Sequence, residues 1–307
     1  METTTTTTAN TMLFGSTALA RRIESVQAQN QLDYAEAHRH LQIASLCAAM
    51  QIEQGAAALF AGAESPLTQS FGLGFPNTAN EHLANTQNKK TSHYTEALDR
   101  AEEFFFSHGV GVTIELANLA DMEFTALLGA RNYAVCEYSH VLGLDIRGFE
   151  ATSVLSTSAP SSASQFQVQQ FDANTLPRAA NAISAGFLEH NIGEREIPDD
   201  FREMFMIAMQ TRGTVGFAAE TEGEIAGAGG ITLSDGIALL SGASTQPKFR
   251  NRGIQKALID ARLQYARAQG CDVAVVTTAP GTVSQENMQK LGFRILYART
   301  KFFRPLP

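Results

Sequence analysis

The sequence predicts an α/β protein built from two similar units. Helical and strand patterns alternate along the chain. An uncharged stretch rich in serine, alanine and threonine interrupts them at 151–165. Both sides of that stretch close with the same order of helix, glycine, strand, helix, turn and strand. A chain of 307 residues with 44% hydrophobic side chains suits two cores better than one. The expected division is a disordered tail over 1–12, a first unit over 13–150, a linker over 151–165 and a second unit over 166–307.

The elements follow in order. The opening threonine run offers little to bury against the cost of ordering it. "DYAEAHRHLQIASLCAAMQIEQ" (33–54) reads as one helix. "ALFAGAESPLTQSFGLGF" (58–75) reads as short strands and turns. "TEALDRAEEFFFSHG" is a helix that Gly109 ends, since glycine accepts the left-handed conformation of a C-terminal cap. "VGVTIELA" is a buried strand by its β-branched run. Residues 120–142 give a helix, a turn and a last strand.

After 165, "LPRAANAISAGFLEH" and "PDDFREMFMIAMQ" read as helices. Residues 214–247 are short apolar pieces between turns at Glu222-Gly223 and Ser234-Asp235-Gly236, the pattern of a three-stranded antiparallel meander. A helix ended by Gly270, the strand "CDVAVVTT", the helix and turn "TVSQENMQKLGF" and the strand "RILYARTKFF" close the chain. The spacing from Gly109 to Asn132 nearly equals that from Gly270 to Gly292. Asn132-Tyr133 stands where Gly292-Phe293 does, and asparagine is the usual second choice at a left-handed turn. The two closings read as a duplicated α/β unit.

The formal net charge of -8 argues against a nucleic-acid partner. Within this acidic chain, Lys248, Arg250, Arg252 and Lys256 gather around Gly253, where a strand ends at Pro247 and a helix begins. The first N–H groups of a helix lack internal acceptors, and with the helix dipole they attract anions. Glycine lets a phosphate approach the backbone closely. The plainer alternative is a solvated helix start. On this helix Ala257, Leu258, Ala261, Tyr265 and Ala268 are expected to face inward, with Lys256, Asp260 and Arg262 on the polar side.

G-x-x-x-x-G-K-[ST] and G-x-G-x-x-G opening a helix are both absent. Cys47, Cys136 and Cys271 have no metal-ligand spacing and read as buried free thiols in a reducing compartment. The histidines show no H-E-x-x-H, and no metal is expected. The start lacks the form of a signal peptide, and no apolar run approaches a membrane span. The cytoplasm is the expected location.

Residues 165–305, through "TQPKFRNRGIQKALI" and "SQENMQKLGFRILYAR", resemble the GNAT superfamily of acyl-coenzyme A N-acyltransferases. That family's [Q/R]-x-x-G-x-[G/A] loop is matched from Arg250, with Gln255 standing where the family has Gly or Ala. The resemblance implies a GNAT fold, a mixed and mostly antiparallel sheet flanked by helices. The first half then resembles a degenerate GNAT-like unit without the loop. It is expected to be structural or to wall the substrate site.

The resemblance further implies acetyl-CoA as cosubstrate, lying between "GIALLSGAST" and "CDVAVVTT". The backbone of Ala243, Ser244 and Thr245 would pair with the pantetheine arm. Arg250, Asn251, Arg252, Gly253, Ile254, Gln255 and Lys256 would hold the pyrophosphate, with Ser284 and Asn287 on the far wall. The implied reaction is direct acetyl transfer to a small-molecule or peptide amine. The alternative is a catalytically inactive CoA-binding regulator or scaffold.

Many relatives carry a tyrosine acid where this chain has Met288. Tyr297 is then the candidate acid and Glu220, at the meander's first turn, the candidate base. Their plainer roles are strand packing and a solvated turn charge. No nucleic-acid or membrane partner is expected, and the resemblance is compatible with a homodimer.

Overall fold

The computed structural model describes residues 13–76, 87–149 and 166–307. The expected tail (1–12) and linker (151–165) lie outside the described residues. The chain runs α1 (Thr17–His40), β1 (Ala48–Glu53), β2 (Ala56–Phe60), β3 (Gln69–Phe71), α2 (Gln87–Ser107), β4 (Val112–Ala117), α3 (Met122–Ala130) and β5 (Ala134–Asp145). It continues β6 (Gln167–Gln170), α4 (Leu176–Phe187), α5 (Asp199–Ala208), β7 (Thr214–Thr221), β8 (Glu224–Ser234) and β9 (Ile237–Thr245). It ends with α6 (Ile254–Ala268), β10 (Val273–Thr278), α7 (Val283–Lys290) and β11 (Arg294–Arg304).

Most expected elements are present. One is corrected: the helical reading of 33–54 fails beyond His40, because Ala48–Glu53 is an edge strand paired antiparallel with β2. The helix starts earlier instead, at Thr17, where the Ser16 hydroxyl accepts the Leu19 N–H. The meander turns carry positive φ at both central residues, Glu222-Gly223 and Asp235-Gly236. This is the geometry that matches the twist of paired strands. Asn132 and Gly292 are both left-handed, as the repeat requires.

All strands form one mixed sheet in the order β1-β2-β3-β4-β11-β5-β10-β9-β8-β7-β6. Neighbours are antiparallel except β3·β4 and β9·β10, which are parallel. The closing strands have changed places. β5 of the N-terminal part pairs with β10, Val273↔Asp145 through Thr278↔His140. β11, the last strand, pairs with β4, Arg304↔Val112 through Arg299↔Ala117. β5 and β11 then pair with each other, making the seam of the molecule. The duplicated order seen in the sequence is therefore not two separately closed sheets.

α6 covers one face of the C-terminal strands, with Ile254, Leu258, Ile259 and Leu263 packed on Phe217, Ile231, Ala238 and Leu240. α4 and α5 cover the opposite face of β7 and β8. α1, from the N-terminal part, packs Ala20, Ile23 and Val26 on Ile237, Leu239, Val273 and Val275. Its Glu24 reaches the seam, where Glu24 Oε1 accepts from Arg299 Nε at 2.8 Å and from the Tyr297 hydroxyl at 2.5 Å, all three buried. Among the described residues, no helix is long and apolar enough to cross a membrane.

Candidate functional site

The parallel pair β9·β10 is joined only at Ile237, Ala238 and Leu239, against Val273, Ala274 and Val275. Beyond that point β9 carries a bulge, with Gly242 and Ala243 together facing Gly229. A bulge bends its strand and ends regular pairing. The two strands part, and a cleft of about 750 Å³ opens, bounded by β9, the loop before α6, α6 and α7.

The sequence-predicted residues converge on this cleft. β9 lines it with Ala243, Ser244 and Thr245; the loop with Arg250, Asn251 and Gly253; the helix start with Ile254, Gln255 and Lys256. Across it, α7 contributes Ser284 and Asn287, and the Asn287 amide donates to Gln255 Oε1 at 3.0 Å. Arg252 is not in the lining; its guanidinium lies 5.4 Å from the Phe249 ring centroid.

Positive φ at Asn251 and Gly253 turns the loop into α6, and Gly253 is the N-cap. The helix start, with its first N–H groups free of intrahelical acceptors, thus lies in the cleft lining. Three of the four cations here are held by carboxylates: Lys248 by Glu224 (2.6 Å), Arg250 by Glu189 (2.5 Å) and Lys256 by Asp260 (2.6 Å). Arg250 also donates to the carbonyls of Thr245 and Gly186, which fixes its place at the rim. Its hydrogen bonds to Glu189 lower that carboxyl below its usual range.

Neither catalytic candidate reaches the cleft lining. Glu220 is paired with Arg178 at 3.2 Å. Tyr297 is 4% exposed; burial first, and then the Glu24 carboxylate, hold its phenol well above the usual value. Phenylalanine at 297 is expected to change kcat less than tenfold. It should cost stability of about 1–3 kcal/mol, because Glu24 loses a buried partner. Turnover and thermal melts of Y297F check this; a hundredfold loss of kcat with coenzyme binding intact would make Tyr297 the acid. Met288 is 3% exposed and belongs to the core beneath α6.

Two further corrections concern burial. Arg262 and Asp260, expected on the polar side of α6, are both buried, and Ala268 is exposed. Of the expected stripe, Ala257 and Leu258 are buried and Ala261 and Tyr265 half-buried; the buried face is wider and also runs through Ile254, Leu258 and Arg262, an i, i+4, i+8 row. Of the cysteines, all free, only Cys271 is buried; Cys136 is exposed on β5. Arg262, the end of α4 (Gly186 and Phe187) and Glu189 just after it are cleft residues outside the sequence-predicted set. The row from Ile254 is the signal for Arg262; the α4 contribution has none, since it depends on tertiary packing.

The N-terminal part has no matching cleft among its described residues. Its parallel pair β3·β4 meets only at Ser70↔Ile114. The chain after β3 then crosses toward α3, where the Asp121 N–H donates to Gly74 O at 2.8 Å, and Leu73 and Phe75 are buried.

Residues 182–293 match the profile of the Acetyltransferase (GNAT) family. This segment is a GNAT domain. The fold over nearly the whole chain is similar to that of a GCN5-related N-acetyltransferase from Kribbella flavida. The TM-score is 0.59 at 15% identity, covering 94% of this chain and 96% of that one. It is also similar to a tandem GNAT protein from the clavulanic acid biosynthesis pathway, with TM-score 0.57 at 11% identity, covering 96% and 97%. No curated protein is similar to it in sequence.

Proposed function

We propose that the protein is an N-acetyltransferase that moves an acetyl group directly from acetyl-CoA to an amine. The observation that carries this reading is the parting of β9 and β10 in front of a helix start, Gly253 to Lys256, that lines the same cleft. Such a site suits a ligand with a phosphate end and a long, narrow arm that makes backbone hydrogen bonds. Ala243 to Thr245 would pair with the arm. The amides from Gly253 to Lys256 would hold the pyrophosphate, and Ser284 and Asn287 would wall the far side. Coenzyme A supplies the activated acyl group when bound. The protein's part is to align the amine with it and exclude water.

The cleft lining offers no tyrosine, and both sequence-derived acid–base candidates are held elsewhere. This gives weight to a second reading, a CoA-binding protein without turnover. Calorimetry with acetyl-CoA, followed by assays across small-molecule and peptide amines, separates the two. The expected result is one site per chain, with acetylation of at least one amine class. Binding without turnover on any amine selects the second reading, and two sites per chain refutes the closed N-terminal part.

A further inference from the structure

Arg262 is the least expected residue of the cleft. It is 2% exposed on the buried face of α6, yet it is among the residues lining the cleft. Its partners are two backbone carbonyls: Leu258 O, one turn back, at 2.9 Å and Gly230 O on β8 at 3.0 Å. Among the described residues no carboxylate pairs with it, whereas Arg299, the other fully buried arginine, has Glu24. Stripping a guanidinium of water costs several kcal/mol, and two neutral acceptors offset only part of that. A site that keeps such a cation holds strong positive potential for a negative charge arriving later.

Its depth indicates which charge. Ile254, Leu258 and Arg262 line the cleft one turn apart, so Arg262 lies about 12 Å along the helix from the phosphate-facing end. It sits against the β9 bulge: a Cβ at Gly229 would fall 3.1 Å from Arg262 Nη1 and 2.7 Å from the Ala243 Cβ. A ligand anchored by phosphates at the helix start and reaching inward along α6 brings its far end to this level. Arg262 is on the α6 face, while α4 and α5 occupy the other. The far end of a coenzyme A arm is its sulfur, so the negative charge formed there on transfer would fall at the level of Arg262.

We propose that Arg262 is the electrostatic partner of the coenzyme thiolate released on acyl transfer, taking the place of a proton-donating side chain. This rests on the cleft being a coenzyme A site. In the transfer, the neutral amine nitrogen forms the C–N bond, the C–S bond breaks with its electron pair on sulfur, and the amine proton passes to water. Arg262 donates no proton; its charge lowers the energy of the sulfur anion. Desolvation pushes its pKa down to about 10, which leaves it cationic at neutral pH. Met288, buried in the core, leaves no side-chain acid at the family's usual position.

The test needs no turnover. Coenzyme A and desulfo-coenzyme A, which lacks the thiol, are titrated into the full chain by calorimetry at pH 7 and pH 9.5. The phosphates and the titrations of groups away from the thiol act on both ligands alike, and partial loss of the Arg262 charge by pH 9.5 only lessens the gain, so the ratio of their dissociation constants isolates the thiol and its partner. A bound thiol whose pKa falls by one unit makes coenzyme A gain about fivefold over the desulfo form between these pH values. That gain is expected for the wild type, retained in part by R262K and absent in R262M. A flat wild-type ratio overturns the proposal, even if R262M does not fold, and so does an unchanged ratio in folded R262M. Failure of both ligands to bind removes the coenzyme reading itself, and the proposal with it.

Discussion

A chain cut to residues 166–307 is expected not to fold as a soluble monomer, although it contains the whole GNAT domain. The cut removes β5, which pairs with β10 from Val273 to Thr278 and with β11 along most of its length. It also removes β4, the other neighbour of β11, and α1, which covers Ile237, Leu239, Val273 and Val275. β11 would be left with no partner, and β10 with one open edge in the middle of what had been a sheet. Unpaired central strands are templates for aggregation. The buried Arg299 would lose Glu24, and breaking such a pair costs about 3–5 kcal/mol, a large share of a domain's stability of about 5–15 kcal/mol.

Size-exclusion chromatography and thermal melts of the fragment check this, with 1–150 co-expressed as rescue. A monomeric 166–307 that melts cooperatively would show that the exchanged strands are dispensable. Division of the chain at 151–165 is on this view a covalent boundary only, and the folding unit is the pair.

The same exchange marks the limit of what the sequence reveals. Local rules place Gly109, Asn132, Gly270 and Gly292 at left-handed positions, and each is left-handed in the structure. Turn chemistry finds the meander, because Glu222-Gly223 and Asp235-Gly236 carry their own signal. Which sheet β5 and β11 join is a different matter. Both are long strands that follow equivalent helices, and each would fit its own half or the other by pattern alone.

The corrected helix over 33–54 fails for a related reason: alanine-rich "AAMQIE" has helical propensity, and pairing with β2 overrides it. At the site, the Gly253 loop and the α7 residues are legible because they follow one another in sequence around fixed turns. Arg262 is less so, since a charged residue on a helix is normally exposed and only the row from Ile254 places it inside.

Gly253→Val (G253V) is expected to weaken acetyl-CoA binding at least tenfold, or about 1.4 kcal/mol, while the protein remains folded. Two effects have to be separated. Gly253 has φ +79°, and a side chain in the left-handed region costs about 1–2 kcal/mol, more for a β-branched one. That cost falls on the folded protein whether or not a ligand is present. The second effect belongs to the ligand. A Cβ at Gly253 meets no protein atom within 4 Å, because it projects into open space at the helix start, where the phosphate would lie.

Gly270, just past the other end of α6, supplies the control. It has φ +84° and an equally open Cβ position, but does not line the cleft. G270V should lose similar stability and bind acetyl-CoA as the wild type does. Loss of binding in both variants would mean that α6 has been disordered from either end. Unchanged binding in a folded G253V would remove the coenzyme site from this loop.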